Sequence, residues 1–199
     1  MNASQPSRRG RPGHSQSSVV AVAVETFNRH GYEATSMGML ADALGVSKSA
    51  IYHHVPSKLE ILRLALDDAL SALETAADDA EAAPPSAASV ADLMRATVRV
   101  LIEKQSEVRL LLRLRGNSDV EREAIERRRA VDRRTAAVIE AAQAAGELRG
   151  DLEPRELARL MFGTVNSVVE WHRPGGRQSS EEVAETVVSL LMDGARQRA

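Results

Sequence analysis

The sequence contains no cysteine and few aromatic residues, and both absences limit what the protein can be. Without cysteine, a disulfide framework, a thiol nucleophile and a cysteine zinc site are excluded. Phe, Trp and Tyr make up 3% of the 199 residues, and Ala, Leu, Glu and Arg dominate. This composition favours a helical protein over a β-sandwich or barrel. We therefore expect an all-α fold of one or two domains.

A long apolar run is also missing from the first residues. The stretch MNASQPSRRGRPGHSQSS is polar, and no apolar run follows its arginines. A signal peptide or a membrane anchor would need such a run. We therefore expect a soluble, cytoplasmic protein with no membrane partner.

The net charge is only −2, but the charge is unevenly distributed. Residues 1–60 hold six Lys or Arg and four Asp or Glu, whereas the rest of the chain holds 20 and 24. A basic N-terminal end on an acidic body favours an approach to DNA in one orientation, although the excess of basic residues is small.

Apolar spacing and helix stop signals predict about nine helices and no strand. Gly31 and Gly45 end the first two helices. Thr35 or Ser36 caps the second helix, Ser47 and Ser57 cap the next two, and Pro56 separates those two. The predicted helices cover 18–30, 36–44, 48–54, 58 to the AEAAPPS segment, 89–105, 106–115, 119–145, 154–172 and 180–196. The predicted organisation is a flexible basic arm (1–16), a helix-turn-helix domain (17–62) and an effector-binding and dimerisation domain (63–199).

The segment LADALGVSKSAIYHHVPSK, residues 40–58, has the pattern of a helix-turn-helix. Leu40, Leu44 and Ile51 supply the apolar contacts between two short helices. Gly45 permits the positive φ that ends the first helix and begins the turn. With Ile51 facing inward, the polar side chains of the second helix face outward, where they can donate to phosphates and base edges.

The longer stretch FNRHGYEATSMGMLADALGVSKSAIYHHVPSKLEIL, residues 27–62, resembles without a gap the DNA-binding domain of the TetR family of bacterial transcriptional repressors. Val55 departs from the family, which usually has an aromatic residue there, and looser packing below the recognition helix is the expected consequence. The resemblance implies a homodimer that binds operator DNA through three N-terminal helices. The remaining helices would form an effector pocket and the dimer interface.

The family's DNA contacts can be carried over by position. They imply phosphate binding by Thr35, Ser36, Lys48, Tyr52, His54 and Lys58, base reading by Ser49 and His53, and contact of Ala50 with a thymine methyl group. An ordinary half-buried packing role for Tyr52 and His54 remains open. The adjacent histidines do not predict a metal site, because neighbouring helix residues point about 100° apart and no further ligand follows at a suitable spacing.

The N-terminal arm SRRGRPGH adds a second possible contact with DNA. Arg8, Arg9 and Arg11, among glycine and proline, resemble the short basic arms that enter an A·T-rich minor groove. A disordered tail with a general attraction for phosphate is the alternative.

The last two predicted helices are the natural dimer pair, because both carry apolar residues on more than one face. A pocket would lie between this pair and the helices within residues 94–113. We expect at most about half of the candidate lining residues to reach a cavity and the rest to be core. The candidates are Met94, Val98, Leu101, Leu110, Leu111, Met161, Phe162, Val165, Asn166, Val169 and Trp171.

Two features indicate the chemistry of the effector. The segment VVEWHRPGG, residues 168–176, resembles the C-terminal segment of TetR-like regulators that respond to acyl-CoA thioesters. Arginine is also dense in the middle of the chain, and an acyl-CoA would offer phosphates to arginine and an apolar tail to Met, Leu and Phe. The alternative is a solvated surface with ion pairs from Glu123 to Arg127 and from Glu126 to Arg129. The dense arginines are Arg109, Arg113, Arg115, Arg122, Arg127, Arg128, Arg129, Arg133 and Arg134.

No nucleophile, base or metal cluster appears at a catalytic spacing, so neither an enzyme nor a cofactor is expected. The sequence predicts a homodimeric repressor that a small hydrophobic effector releases from operator DNA, with an acyl-CoA as the candidate effector. A ligand-independent structural DNA binder and a regulator of a different hydrophobic ligand are the alternatives.

Overall fold

The computed structural model describes residues 15–196, and nine α-helices lie within this range. No strand forms there, and an isolated bridge joins Leu148 to Arg196. None of the described helices is long and apolar enough to cross a membrane. The all-α prediction is confirmed. The helices are α1 (Gln16–His30), α2 (Met37–Leu44), α3 (Lys48–Tyr52), α4 (Lys58–Ala82), α5 (Ala87–Glu103), α6 (Gln105–Leu112), α7 (Asp119–Ala144), α8 (Pro154–Trp171) and α9 (Ser180–Ala195).

Serine side chains fix where the N-terminal helices begin. Ser36 accepts a hydrogen bond from the backbone N–H of Met39 at 3.2 Å, and Ser47 accepts one from Ala50 at 3.3 Å. Such caps satisfy N–H groups that have no partner within the helix, and each contributes about 1 kcal/mol. The helix starts are therefore set by the residues that the sequence pattern indicated.

The chain divides between Ile61 and Leu62 into two compact units. In the N-terminal unit, Phe27, Ile51 and Val55 are buried, and the rings of Phe27 and Tyr32 pack edge to face with a centroid distance of 5.1 Å. Val55 has no exposed surface, so the valine that stands where the family usually has an aromatic residue still packs in the core. Leu59, in the first turn of α4, is 38% exposed.

The C-terminal unit is built around α5 and α8. Helix α5 packs against α7, α8 and α9, and α8 also packs against α6, α7 and α9. The side chains of Met94, Leu101 and Val165 are buried in this packing. The unit therefore has a core of its own, larger than that of the N-terminal unit.

Two arginines on α7 join this helix to α4. The guanidinium of Arg127 contacts Glu74 through two hydrogen bonds of 2.8 and 2.7 Å and also donates to Asp67. Arg134 makes the same double contact with Glu81 at 2.8 and 2.6 Å. The expected pair of Glu123 with Arg127 is therefore wrong, because the better-placed carboxylates lie on α4. The expected pair of Glu126 with Arg129 is present.

Candidate DNA-binding surface and effector cavity

Helices α2 and α3 are held together by a short turn. Gly45 adopts the left-handed conformation at φ 67°, and the N–H of Val46 donates to the carbonyl of Ala41 at 3.0 Å. Ser47 then caps α3, and Ile51 points into the core with no exposed surface. These contacts leave α3 only one face toward the solvent.

That face carries the side chains expected to contact DNA. Ser49 and His53 are exposed, and Tyr52 is 50% exposed. Ala50 and His54 are half-buried, so the ordinary packing alternative remains open for His54. The structure thus presents the expected base-reading residues to solvent together with one aromatic hydroxyl.

Lys48 lies against the first turn of α2. A methyl group placed on Gly38 would come within 3.1 Å of the Lys48 Cε and 3.4 Å of its Nζ. The hydroxyl of Ser36 lies 3.4 Å from the same point. An ammonium group and the unpaired N–H groups at a helix start are both suited to a phosphate. Sequence reasoning missed this close approach at Gly38, because it depends on a side chain ten residues away.

Thr35 and Lys58 were expected to contact phosphates, but both side chains are bonded to backbone carbonyls of the protein. Thr35 is buried, and its hydroxyl donates to the carbonyl of Gly31 at 2.8 Å. The Lys58 ammonium donates to the carbonyls of Tyr32 and Thr35 at 2.9 Å each, and more weakly to Glu33. All three of its protons are therefore used within the protein. In this structure both residues hold the loop before α2, and phosphate binding by either would require these bonds to break.

The start of α1 lies beside the end of α3. The Gln16 side-chain amide donates to the backbone carbonyl of His54 at 3.2 Å. The expected DNA-contacting arginines Arg8, Arg9 and Arg11 lie outside the described residues. The described part of the chain therefore begins next to the end of α3. Nothing in the sequence pattern indicated this role of Gln16.

The C-terminal unit contains a cavity of about 400 Å³. Of the expected lining residues, Leu101, Leu111, Phe162 and Asn166 reach it. The complete lining comes from α4 to α8 and consists of Leu73, Thr97, Leu101, Val108, Leu111, Leu112, Arg128, Val131, Asp132, Arg159, Phe162, Gly163 and Asn166.

The other seven expected lining residues lie elsewhere. Six are buried between helices without reaching the cavity, because their positions on the helices turn them toward neighbouring core side chains: Met94, Val98, Leu110, Met161, Val165 and Val169. Trp171 is 49% exposed, and its indole N–H donates to the Ser167 hydroxyl at 3.3 Å. These seven do not line this cavity, and at most about half of the candidates were expected to reach one.

The segment VVEWHRPGG has a structural role at the end of α8. The carbonyl of Val169 accepts hydrogen bonds from Gln105 and Arg109 at 2.8 Å each, and Gln105 also reaches the carbonyl of His172. These bonds satisfy carbonyls that the end of a helix leaves without partners. In this structure the segment joins α8 to α6 and does not line the cavity.

Charged groups stand along one wall of the cavity. The Arg128 guanidinium donates to the carbonyl of Leu111 at 3.3 Å, and Asp132 and Arg159 complete this wall. The pKa of Asp132 lies above its ordinary value because of partial burial, and the positive charges of Arg128, Arg133 and Arg159 offset part of this rise. The cavity is therefore apolar on most sides, with a polar edge formed by α7 and α8.

A second cavity of about 290 Å³ lies between α7 and α8. We call it the arginine cleft. Arg129 and Arg133 were part of the arginine-dense region expected from the sequence, whereas Arg155 and Arg159 on the next helix were missed. The cleft is lined by Arg129, Asp132, Arg133, Ala136, Arg155, Ala158 and Arg159.

The histidines give no sign of a metal centre. Within residues 15–196, no three His, Asp or Glu side chains are grouped so that they could hold a metal ion. His53 and His54 instead follow each other at the end of α3.

Two short helices across a tight turn, with polar side chains on the outer face of the second, define a helix-turn-helix DNA-binding protein. Residues 19–65 match the family model of bacterial regulatory proteins of the tetR family. Residues 84–195 match the tetracyclin repressor-like C-terminal domain. The chain therefore belongs to the TetR family of transcriptional regulators, as the resemblance of residues 27–62 indicated.

Several proteins resemble this chain over nearly its whole length. The transcriptional repressor KstR2 of Rhodococcus jostii RHA1 is 28% identical over 200 residues, which cover 93% of this chain and 92% of that protein. The crystal structure of SCO3833, a TetR-family member from Streptomyces coelicolor A3, is 43% identical with a TM-score of 0.81, covering 90% and 91% of the two chains. The structure of AibR with isovaleryl coenzyme A and operator DNA has a TM-score of 0.74 at 20% identity, covering 89% and 97%. The likeness to AibR shows the fold alone.

Proposed function

We propose that this chain is a homodimeric transcriptional repressor that an acyl-CoA thioester releases from its operator in the cytoplasm. The observation that carries the proposal is the cavity of about 400 Å³ in the C-terminal unit of a TetR-family chain. The similarity to KstR2, which is named a repressor, supports the repressing role. The similar fold of AibR, whose structure contains isovaleryl coenzyme A and operator DNA, supports the choice of ligand.

On the DNA side, α3 enters the major groove, and its side chains contact either bases or phosphates. Ser49 and His53 read base edges, and Ala50 contacts a thymine methyl group. Ser36 and Lys48 hold phosphates beside the first turn of α2, and Tyr52 and His54 hold them at the end of α3. The loop held by Thr35 and Lys58 positions the first turn of α2. Arg8, Arg9 and Arg11 of the N-terminal arm contact an A·T-rich minor groove.

The dimer forms through the outer faces of α8 and α9. Leu160 and Trp171 on α8 are 64% and 49% exposed, and Leu190 on α9 is 69% exposed. Large apolar side chains this exposed on two neighbouring helices are suited to a twofold four-helix interface. Leu190→Glu should shift the protein toward monomer in analytical ultracentrifugation, whereas Glu182→Gln on the same helix should not. Dimers of unchanged stability in the Leu190 variant would contradict this interface.

On the effector side, the acyl chain occupies the apolar cavity. A volume of about 400 Å³ lies within the range of small-molecule sites in proteins. In a homodimer, a bound effector would move the two recognition helices away from the roughly 34–36 Å spacing of successive major grooves. Binding of DNA and binding of the effector would then oppose each other.

The proposal is tested by titrating the protein–operator complex with acyl-CoAs of increasing chain length, the matching free acids and CoA alone. Acyl-CoAs should release the DNA, and CoA should bind more weakly because it lacks the buried chain, by about 0.8 kcal/mol for each missing CH₂. Release by the free acids alone would identify a different hydrophobic ligand. The absence of release by the whole panel would contradict the acyl-CoA proposal.

A further inference from the structure

We infer that the arginine cleft between α7 and α8 is a phosphate-binding subsite for a ligand whose apolar part occupies the neighbouring cavity. The inference rests on the proposed effector function and goes beyond it by assigning the place and the residues that hold the anion. The proposed acyl-CoA ligand and the arginine-dense sequence do not by themselves show where a phosphate would bind.

The two cavities share part of their walls. Asp132 on α7 and Arg159 on α8 line both the apolar cavity and the arginine cleft. A ligand that fills the apolar cavity of about 400 Å³ therefore meets the cleft of about 290 Å³ at these two side chains. An elongated molecule with one apolar and one charged end fits this arrangement better than a compact apolar one.

The cleft concentrates positive charge that the protein itself leaves largely unbalanced. Two pairs at i, i+4 spacing, Arg129 with Arg133 on α7 and Arg155 with Arg159 on α8, supply four guanidinium groups against the one carboxylate of Asp132. Like charges at this spacing destabilise a helix. Among the described residues, only Arg129 of these four forms an ion pair, with the exposed Glu126.

Two other arginines on α7 are paired with carboxylates. Arg127 and Arg134 each meet a carboxylate of α4 through two hydrogen bonds. Those arginines are neutralised and join two helices, whereas Arg133, Arg155 and Arg159 form no ion pair with a described residue. Planar guanidinium groups bind phosphate oxygens through paired, charge-assisted hydrogen bonds. A phosphate or pyrophosphate group would thus supply the negative charge that the cleft lacks.

Asp132 sets how strongly the cleft binds an anion. Its carboxylate lies in the wall shared by both cavities, close enough for Arg128, Arg133 and Arg159 to act on it. A carboxylate there partly neutralises the arginines and repels a phosphate. Removing its charge without changing its shape should therefore tighten the binding of a phosphate-bearing ligand.

The test compares ligands that share the acyl chain but differ in phosphate. Binding of an acyl-CoA and of the phosphate-free S-acyl-pantetheine is measured by calorimetry on the full chain at two salt concentrations. The variants are Arg133→Gln/Arg155→Gln, Asp132→Asn and, as a control outside both cavities, Arg177→Gln. The double variant should bind the acyl-CoA at least tenfold more weakly, with a smaller loss at high salt, and bind S-acyl-pantetheine unchanged. Asp132→Asn should tighten acyl-CoA binding alone, and the control should match the unmodified protein.

A second probe separates this inference from the proposed effector function. 3′,5′-ADP carries phosphates but no acyl chain, so its binding to the cleft does not depend on acyl-CoA being the effector. Binding that is lost in the double variant supports the subsite even if no acyl-CoA releases the operator. The subsite is overturned if the double variant binds the acyl-CoA as the unmodified protein does, or loses S-acyl-pantetheine equally. Failure of 3′,5′-ADP and of every acyl-CoA to bind the unmodified protein also overturns it.

Discussion

The two units of this protein build their sites in opposite ways. In the N-terminal unit, the turn at Gly45, the cap at Ser47 and the buried Ile51 lie within seven residues and together aim the face of α3. In the C-terminal unit, the cavity draws on residues from Leu73 to Asn166, spread over five helices. A site made by local contacts can be identified from a short motif, whereas a site made by packing depends on how distant helices meet.

The largest effect is expected from truncating Ile51, the buried side chain that anchors α3 in the N-terminal unit. Ile51→Ala should destabilise the N-terminal unit by about 2–5 kcal/mol, because it empties a fully buried position. Amide hydrogen exchange should quicken over residues 16–61, and operator binding should be lost. Exchange within residues 87–195 and binding of the effector should remain. Equal loss of protection in both ranges would contradict the separate local origin of the DNA-binding surface.

A smaller effect should separate base reading from phosphate binding. His53→Ala should cost on the order of 1–3 kcal/mol per half-site on the true operator and much less on random DNA, because a contact to a base edge is specific. Fluorescence anisotropy with both DNAs measures the difference. Equal losses on the two DNAs would make His53 a backbone contact.

A subtler change addresses the contact between α2 and Lys48. Gly38→Ala places a methyl group 3.1 Å from the Lys48 Cε, and the flexible side chain can move away at little cost to folding. Thermal stability should be unchanged or slightly higher, while the ammonium is displaced from the start of α2. The slope of log affinity against log salt should flatten by about 0.9 for each phosphate that the protein no longer binds, on operator and random DNA alike.

The control for this change is Gly150→Ala, which adds a methyl group in open space in the C-terminal unit. It should alter neither the slope nor the affinity. Lys48→Ala should flatten the slope as Gly38→Ala does, and combining the two should add little. An unchanged slope in either single variant would reject the phosphate role of Lys48.

Filling the cavity should abolish the response to the effector while leaving the fold intact. Leu101→Phe adds volume at a residue that lines it, and because the ring can extend into the cavity, the loss of stability should not exceed the roughly 1–3 kcal/mol that overpacking costs. Operator affinity should be unchanged, but acyl-CoA should no longer release the DNA. A variant that still responds to acyl-CoA would place the effector elsewhere in the C-terminal unit.

The same contrast explains how much the sequence could predict. The helix-turn-helix, its caps and its buried Ile51 follow from spacing alone, and the nine helix ranges agree with the structure to within about three residues at most boundaries. Even within the helix-turn-helix domain, the sequence did not predict the bonds of Lys58 and Thr35 to backbone carbonyls. A motif indicates that a side chain is polar but not which group it will bond.

For the cavity, the sequence indicated apolar helices but not which apolar residues would leave space between them. Met94 and Leu101 lie seven residues apart on α5 and are equally buried, yet only Leu101 reaches the cavity. Arg155 and Arg159 were missed because their meeting with α7 depends on how α7 and α8 pack. Positions of this kind are determined by tertiary contacts that no local pattern contains.

The central claim is that a ligand in the C-terminal unit controls DNA binding by the N-terminal unit. Its most direct test is a thermodynamic cycle: the affinity for operator with and without a saturating acyl-CoA, and the affinity for that acyl-CoA with and without saturating operator. Linkage requires both ratios to be the same, and a coupling of 1–3 kcal/mol corresponds to roughly a 5- to 150-fold change in each. Equal factors in this range are the predicted result. Tight acyl-CoA binding that leaves operator affinity unchanged would contradict the account.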